Sequence, residues 1–266
     1  MSANKSWYET GYAGAEKEQE RRDLGAAPRR FWLKVGASKE IVFIDDSPFC
    51  IWEHSWRVGD DKNFQYATCI SKINPEGCPG DAAKGVQKAE YIGHYTIVDV
   101  TGYVSKDGKE HKYELVELSP KTKVLNKLKA KKEAKGSLVG QLFQVLRTDD
   151  NSASTGDDFE HKREVDMVKL YEVVSYKGKK LKDMIDAANN PSDPTSARVR
   201  RYLAHHFQIP ETGEIPASVP PFNYANVHAP MEPAAMRAAM SGARGFQANG
   251  SSGGSSGGTQ TDDVPF

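Results

Sequence analysis

Between Arg29 and Val174 the apolar residues come in short β-rich runs closed by turn signals, and this pattern constrains the fold most. The runs are Phe31–Val35, Glu40–Ile44 (ended by Asp45-Asp46-Ser47-Pro48), Phe49–Val58, Phe64–Ile70, Tyr91–Val104, Glu110–Leu118, Leu138–Arg147 and Val165–Val174. Residues alternate between the two faces of a strand. On Phe49–Val58 this puts Cys50, Trp52, His54 and Trp56 on one side. On Tyr91–Val104, the clearest strand, Ile92, Val98, Val100 and Val104 form an aliphatic core face, and Tyr91, Tyr95 and Tyr103 lie opposite. Lys106-Asp107-Gly108-Lys109 supplies an Asp-Gly hairpin signal. Thr148–Asp158 is a polar loop.

These runs predict a mainly β domain, an OB-fold-type barrel elaborated with short helices, with a disordered C-terminal tail. Helical spacing is expected over Pro120–Lys135, Lys179–Ala188 and Ser196–Phe207. Four regions follow: an exposed, charged N-terminal arm (1–28), the core with a helical extension (29–208), a flexible Pro/Ala- then Gly/Ser-rich linker (209–260) and an acidic tip (261–266). Met231–Met240 is expected to be disordered rather than helical. The nine residues Gly250–Gly258 are all Gly or Ser and have almost nothing to bury.

The 36 basic and 36 acidic residues cancel, so an affinity for nucleic acid has to come from local clustering. The cluster is Lys121, Lys123, Lys127, Lys129, Lys131, Lys132 and Lys135, seven lysines opposed by Glu133 alone. Single-strand binding needs such cations for phosphates and aromatic faces for bases. The stacking candidates are Trp32 (or Phe31), Trp52, Trp56, Tyr91, Tyr95 and Tyr103. Lys34, Arg57, Lys106, Lys112, Arg147 and Arg163 are secondary cation candidates. No phosphate loop, nucleophile elbow or His-Glu-x-x-His stretch is present, so no enzyme is expected. Asp45-Asp46 and Asp157-Asp158 lie in turn-like segments, where Asp is common. No apolar run approaches the roughly 20 residues of a membrane span. Three cysteines without a secretory signal point to a reducing cytoplasm, and to metal or free thiols rather than disulfides.

Arg30-Phe31-Trp32-Leu33-Lys34, the strand before Asp45-Asp46, Glu53-His54, Cys69, Cys78, Gly136-Ser137-Leu138-Val139-Gly140, Phe143–Arg147 and Gly156-Asp157-Asp158-Phe159-Glu160 follow one another in an order that resembles bacteriophage single-stranded DNA-binding proteins. The similarity covers roughly residues 20–178. It implies an OB-fold body that coats single-stranded DNA in replication, recombination and repair, in the host cytoplasm. It also implies a structural zinc held by one His and three Cys, the last two separated by two residues. His54, Cys69 and Cys78 match three of these positions, and Asp81 stands at the fourth. Two repairs are open. Asp81 can ligate through oxygen, which is favoured. Alternatively Cys50 supplies the ligand, but in a regular strand it lies about 13 Å from residue 54 and needs a bulge or turn.

Asp262-Asp263-Val264-Pro265-Phe266 on its Gly/Ser tether resembles the C-terminal tip of bacterial single-stranded DNA-binding proteins. This implies recruitment of a DNA polymerase, helicase-primase or nuclease. The tip's negative charge is also expected to rest on the lysine cluster until DNA displaces it. The alternative is a zinc-dependent RNA-binding protein, replication scaffold or recombination mediator that does not coat DNA.

Overall fold

The computed structural model describes residues 27–58, 64–105, 108–210 and 212–244, without the Arg244 side chain. The strands are β1 (Ser38–Phe43), β2 (Phe49–Val58), β3 (Phe64–Thr68), β4 (Glu90–Asp99), β5 (Tyr103–Val104), β6 (Glu110–His111), β7 (Glu114–Leu118), β8 (Gln141–Leu146), β9 (Asp158–Glu164), β10 (Ser175–Tyr176), β11 (Lys179–Lys180) and β12 (Ala243–Arg244). Interspersed are helices α1 (Pro79–Ala82), α2 (Thr122–Lys135), α3 (Met167–Val173), α4 (Leu181–Asn189), α5 (Ser196–His206), α6 (Tyr224–Val227) and α7 (Pro233–Met240).

The strands make one mixed sheet in the order β11-β10-β7-β4-β1-β8-β9, and only β5 and β6 form a separate hairpin. Among the described residues its ends do not pair, so no closed barrel forms. β2 branches away from β4: residues 49–53 pair with β4, 53–57 with β3, and 57–58 with β12. β1 and β4 are buried on both faces. Val42, Val98 and Leu115 pack under α3–α6, while Ile41, Phe43, Ile97 and Phe143 pack with Val124 and Leu128 of α2 on the other side. A third cluster, centred on Trp56, joins Ile70, Cys78, Met236 and Met240.

Several expectations change. Tyr91–Val104 is not one strand. The chain turns at Gly102, whose positive φ of 74° and whose contact with the His111 carbonyl leave no room for a Cβ. Because β4 is covered on both sides, Tyr95 lies in the core against Phe43 instead of facing solvent, and Val104 is exposed. Val165–Val174 is helical from Met167, because Asp166 caps it by accepting from the Val168 and Lys169 amides. The charged Asp158–Glu164 is a strand, paired to β8 along its length. Phe31–Val35 makes no strand beyond one bridge at Arg30, although Phe31 and Leu33 are buried.

The body also does not end near 208. Ile215, Val219, Phe222, Tyr224, Met236 and Met240 are buried against it, and Met231–Met240 contains α7. An eight-residue helix is too short to be stable alone even with Ala and Met in it, and burial of Met236 and Met240 on Trp56 supplies the missing stability. Residues 1–26, most of the expected arm, and 245–266, the Gly/Ser tether and the tip, lie outside the described residues. No described helix is long and apolar enough to cross a membrane.

Candidate functional site

The β2–β3 ribbon and the turn after it bring four potential metal ligands together. His54 projects from β2, Cys69 follows β3, Cys78 precedes α1, and Asp81 lies in α1. One donor atom from each falls within 4.8 Å of all the others. His54 Nδ1 donates to the Gln87 carbonyl at 2.9 Å, which fixes the tautomer and leaves the Nε2 lone pair inward. From Nε2 it is 3.4 Å to Cys78 Sγ and 3.5 Å to Asp81 Oδ1. Cys69 Sγ lies 3.1 Å from Ser71 Oγ. Burial pushes the Cys78 thiol up, so without a cation its thiolate is disfavoured. Gly80 is required sterically, because a Cβ there would sit 2.6 Å from the His54 ring.

Cys50 is not a member of this cluster. β2 runs regularly from Cys50 to His54, without the bulge its participation needed, and its thiol turns to the Pro48 carbonyl at 3.8 Å. Trp56, expected among the stacking rings, is also corrected. It is 0% exposed, because α7 and the Ile70–Cys78 turn cover that end of β2.

Between the covered end of β2 and the start of α2, the same face stays open. Trp52 (43% exposed) stands directly across from Tyr91 (41%), ring centroids 5.6 Å apart. Lys72 Nζ reaches to 6.0 Å from the Trp52 ring. Lys121, which pairs with Glu90 at 2.6 Å, brings the lysine helix to the other side. Glycine at 93 permits this approach of α2, since a Cβ there would strike Leu125. On the opposite face of the ribbon, Phe64 and Tyr66 are exposed, stacked at 6.4 Å and covered by cations: Arg57 lies 5.1 Å from Phe64 and Arg30 3.7 Å from Tyr66. Phe64, Tyr66 and Lys72 were not singled out from the sequence, and Arg30 entered only as part of the resemblance. The i, i+2 spacing of Phe64 and Tyr66 was the available signal.

The other expected cations divide. Lys127 donates to the Asp157 carbonyl and Lys132 to Ser47 Oγ, while Lys129 approaches Glu133 at 3.9 Å. Lys123, Lys131 and Lys135 have no hydrogen-bond or ion-pair partner among the described residues. Lys112 pairs with Glu110. Arg147 is spent on structure, donating to the Leu33 and Asp150 carbonyls. Tyr103 stacks on His111 under the Arg29 guanidinium, away from Tyr91 on a separate hairpin. Trp32 and Lys34 are exposed on the chain before β1. Lys106 and the tip residues Asp262, Asp263, Val264, Pro265 and Phe266 lie outside the described residues. Comparison with protein-family models, with curated proteins and with solved structures returns no match.

Proposed function

We propose that this chain is a non-catalytic single-stranded DNA-binding protein whose β2–β4 surface stacks bases and whose lysine helix follows the phosphates. The observation that carries this is the exposed Trp52–Tyr91 pair, set between Lys72 and the start of α2. Large exposed aromatics on adjoining strands are costly to leave in water without a ligand. Rings flanked by lysines suit a flexible strand, because every base has a π face and lysines grip phosphate without reading sequence. The sheet is taken as an elaborated, open relative of the OB-fold, which binds single strands on such a strand surface. Residues 261–266 are assigned to the recruitment of replication proteins.

The His54 cluster is assigned to zinc. The separations of 3.4 and 3.5 Å match the roughly 3.3–3.8 Å edges of a tetrahedron built on Zn–N and Zn–S bonds. His54, Cys69, Cys78 and Asp81 would fill all four positions, so the metal would fasten loops and leave none open for chemistry.

Anisotropy with labelled oligo-dT, duplex DNA and single-stranded RNA tests the function. Micromolar or tighter binding, selective for single-stranded DNA, is expected. Preference for RNA, or no binding to any of the three, would replace it with the RNA-binding or scaffold alternative. For the metal, protein purified without chelator should contain zinc and melt at lower temperature after chelation. Asp81→Cys should hold the metal more tightly, since thiolate is the softer ligand. Metal content near zero in both proteins would remove the site.

A further inference from the structure

Glu53 and His54 are consecutive on β2 and therefore face opposite sides of the strand. Behind the His54 cluster, on Glu53's side, lies a second group able to hold a metal: Glu53, His94 and His228 each bring one donor atom within 4.8 Å of the other two. His94 is fully buried on β4. Its Nδ1 is engaged by Glu117 Oε1 at 2.9 Å, while its Nε2 is buried with no hydrogen-bond partner among the described residues. Leaving a buried ring nitrogen bare is costly, and with Nδ1 donating to Glu117 this nitrogen carries a lone pair that lacks a donor or a metal ion. His228, just past α6, is engaged through Nε2 by the other Glu117 oxygen at 2.8 Å, leaving Nδ1. One carboxylate thus orients both imidazoles, the support that metal-binding histidines characteristically have.

Charge agrees with this arrangement. Among the described residues Glu53 and Glu117 face one Arg or Lys cation, Arg30, which is bidentate to Glu53 and 3.2 Å from Glu117, so neutral histidines leave a net negative pocket. Arg30 uses two of Glu53's four lone-pair positions. The imidazole rings are 4.1 Å apart, close enough for one ion to reach both.

We propose that Glu53, His94 and His228 form a second metal site, for a borderline divalent cation such as Zn2+ or Co2+. Its effect would be to clamp the C-terminal segment onto the sheet. His228 is already tied there through its carbonyl, which accepts from Thr68 Oγ at 2.7 Å. Twelve residues before Met240, it precedes the helix whose Met236 touches Cys78 on the far side of β2. The two sites would therefore hold one strap at both faces of one strand.

The test is a Co2+ titration of the full-length, chelator-stripped protein under reducing conditions. About two equivalents should bind, one with near-ultraviolet thiolate-to-cobalt absorption and one with visible bands only. His228→Gln should lose the equivalent without thiolate absorption and keep the other, and Cys78→Ser should do the reverse. Wild-type saturation at about one equivalent carrying the thiolate band overturns the proposal, as does His228→Gln retaining both. If His228→Gln fails to fold, the wild-type and Cys78→Ser titrations decide: Cys78→Ser protein that binds no Co2+ overturns it.

Discussion

Trp52 and Trp56 lie on the same face of β2, yet one is open and the other is sealed by α7. Their alanine variants should therefore fail differently. Trp52→Ala, like Tyr91→Ala, should weaken oligo-dT binding by about 1–3 kcal/mol with little change in melting temperature. Trp56→Ala should cost about 3–5 kcal/mol of stability through the cavity it leaves. Anisotropy and denaturation on the same preparations measure both. If Phe64→Ala and Tyr66→Ala weaken binding while Trp52→Ala does not, the strand runs over the other face of the ribbon. Asp45 offers a second residue-scale test. Burial raises its carboxyl to about 7 from 3.8, with Oδ2 accepting from the Thr96 amide and Oδ1 buried without a hydrogen-bond partner among the described residues. A carboxyl raised in the folded state favours folding fully below its ordinary value, and that contribution is lost as the pH rises through about 7. Asp45→Asn mimics the protonated form. It should match the wild type near pH 4 and exceed it near pH 8 by an amount on the order of 2 kcal/mol, allowing for relaxation around a buried charge. A constant difference across that range would mean Asp45 is ionised throughout. At this scale the sequence showed which residue types were present and their parity along a strand. It did not show coverage: Trp52 and Trp56 have the same parity, and what separates them is cover from α7 and the Ile70–Cys78 turn.

At the scale of elements, the ones whose stabilising partners are local were legible. α2, α4, α5 and the strands β1, β2, β3 and β8 sit within a few residues of their expected bounds, because apolar spacing and flanking turns specify them. The grouping of His54, Cys69, Cys78 and Asp81 was expected from the resemblance to phage single-stranded DNA-binding proteins rather than from periodicity, and a ribbon and one tight turn bring these potential ligands together. α7 was not legible, since MEPAAMRAAM has too little helical stability alone and gains it by placing Met236 and Met240 on Trp56. β9 was hidden by its charges: DFEHKRE shows one buried apolar residue, Phe159, and is held by its ladder to β8. Met236→Ala should thus unpick an element rather than a single packing interaction. A loss of about 2–5 kcal/mol is expected, with the larger share if α7 detaches. Because Met236 Sδ lies 3.7 Å from Cys78 Sγ, the same variant should release zinc from the His54 cluster faster to a colorimetric chelator. Unchanged release with lowered stability would confine α7 to a packing role.

Over the whole molecule the formal charge is zero, so long-range attraction for a polyanion depends on where cations are left unneutralised. α2 is that place. Its buried face, Val124 and Leu128, is pinned to the core, and its N-terminal end is tied to β4 by the hydrogen bond from the Gly93 amide to the Pro120 carbonyl. The charge there is therefore fixed relative to Tyr91 rather than carried on a loose segment. The lysines are not equivalent, however. Reversing Lys127 or Lys132 also breaks their hydrogen bonds to Asp157 and Ser47, which blurs an electrostatic test with a structural one. Lys123, Lys131 and Lys135, with no partner among the described residues, are the cleaner set. Their combined change to Glu should weaken oligo-dT binding at low salt and leave the melting temperature within a few degrees. It should also reduce the slope of log K against log salt by about 0.7 for each phosphate that is no longer neutralised. Affinity measured from low to moderate ionic strength supplies the slope. If affinity falls by one constant factor and the slope stays the same, the lysines act on the shape of the surface. The phosphates would then have to be met elsewhere, first of all by Arg57 and Lys72 beside the exposed rings.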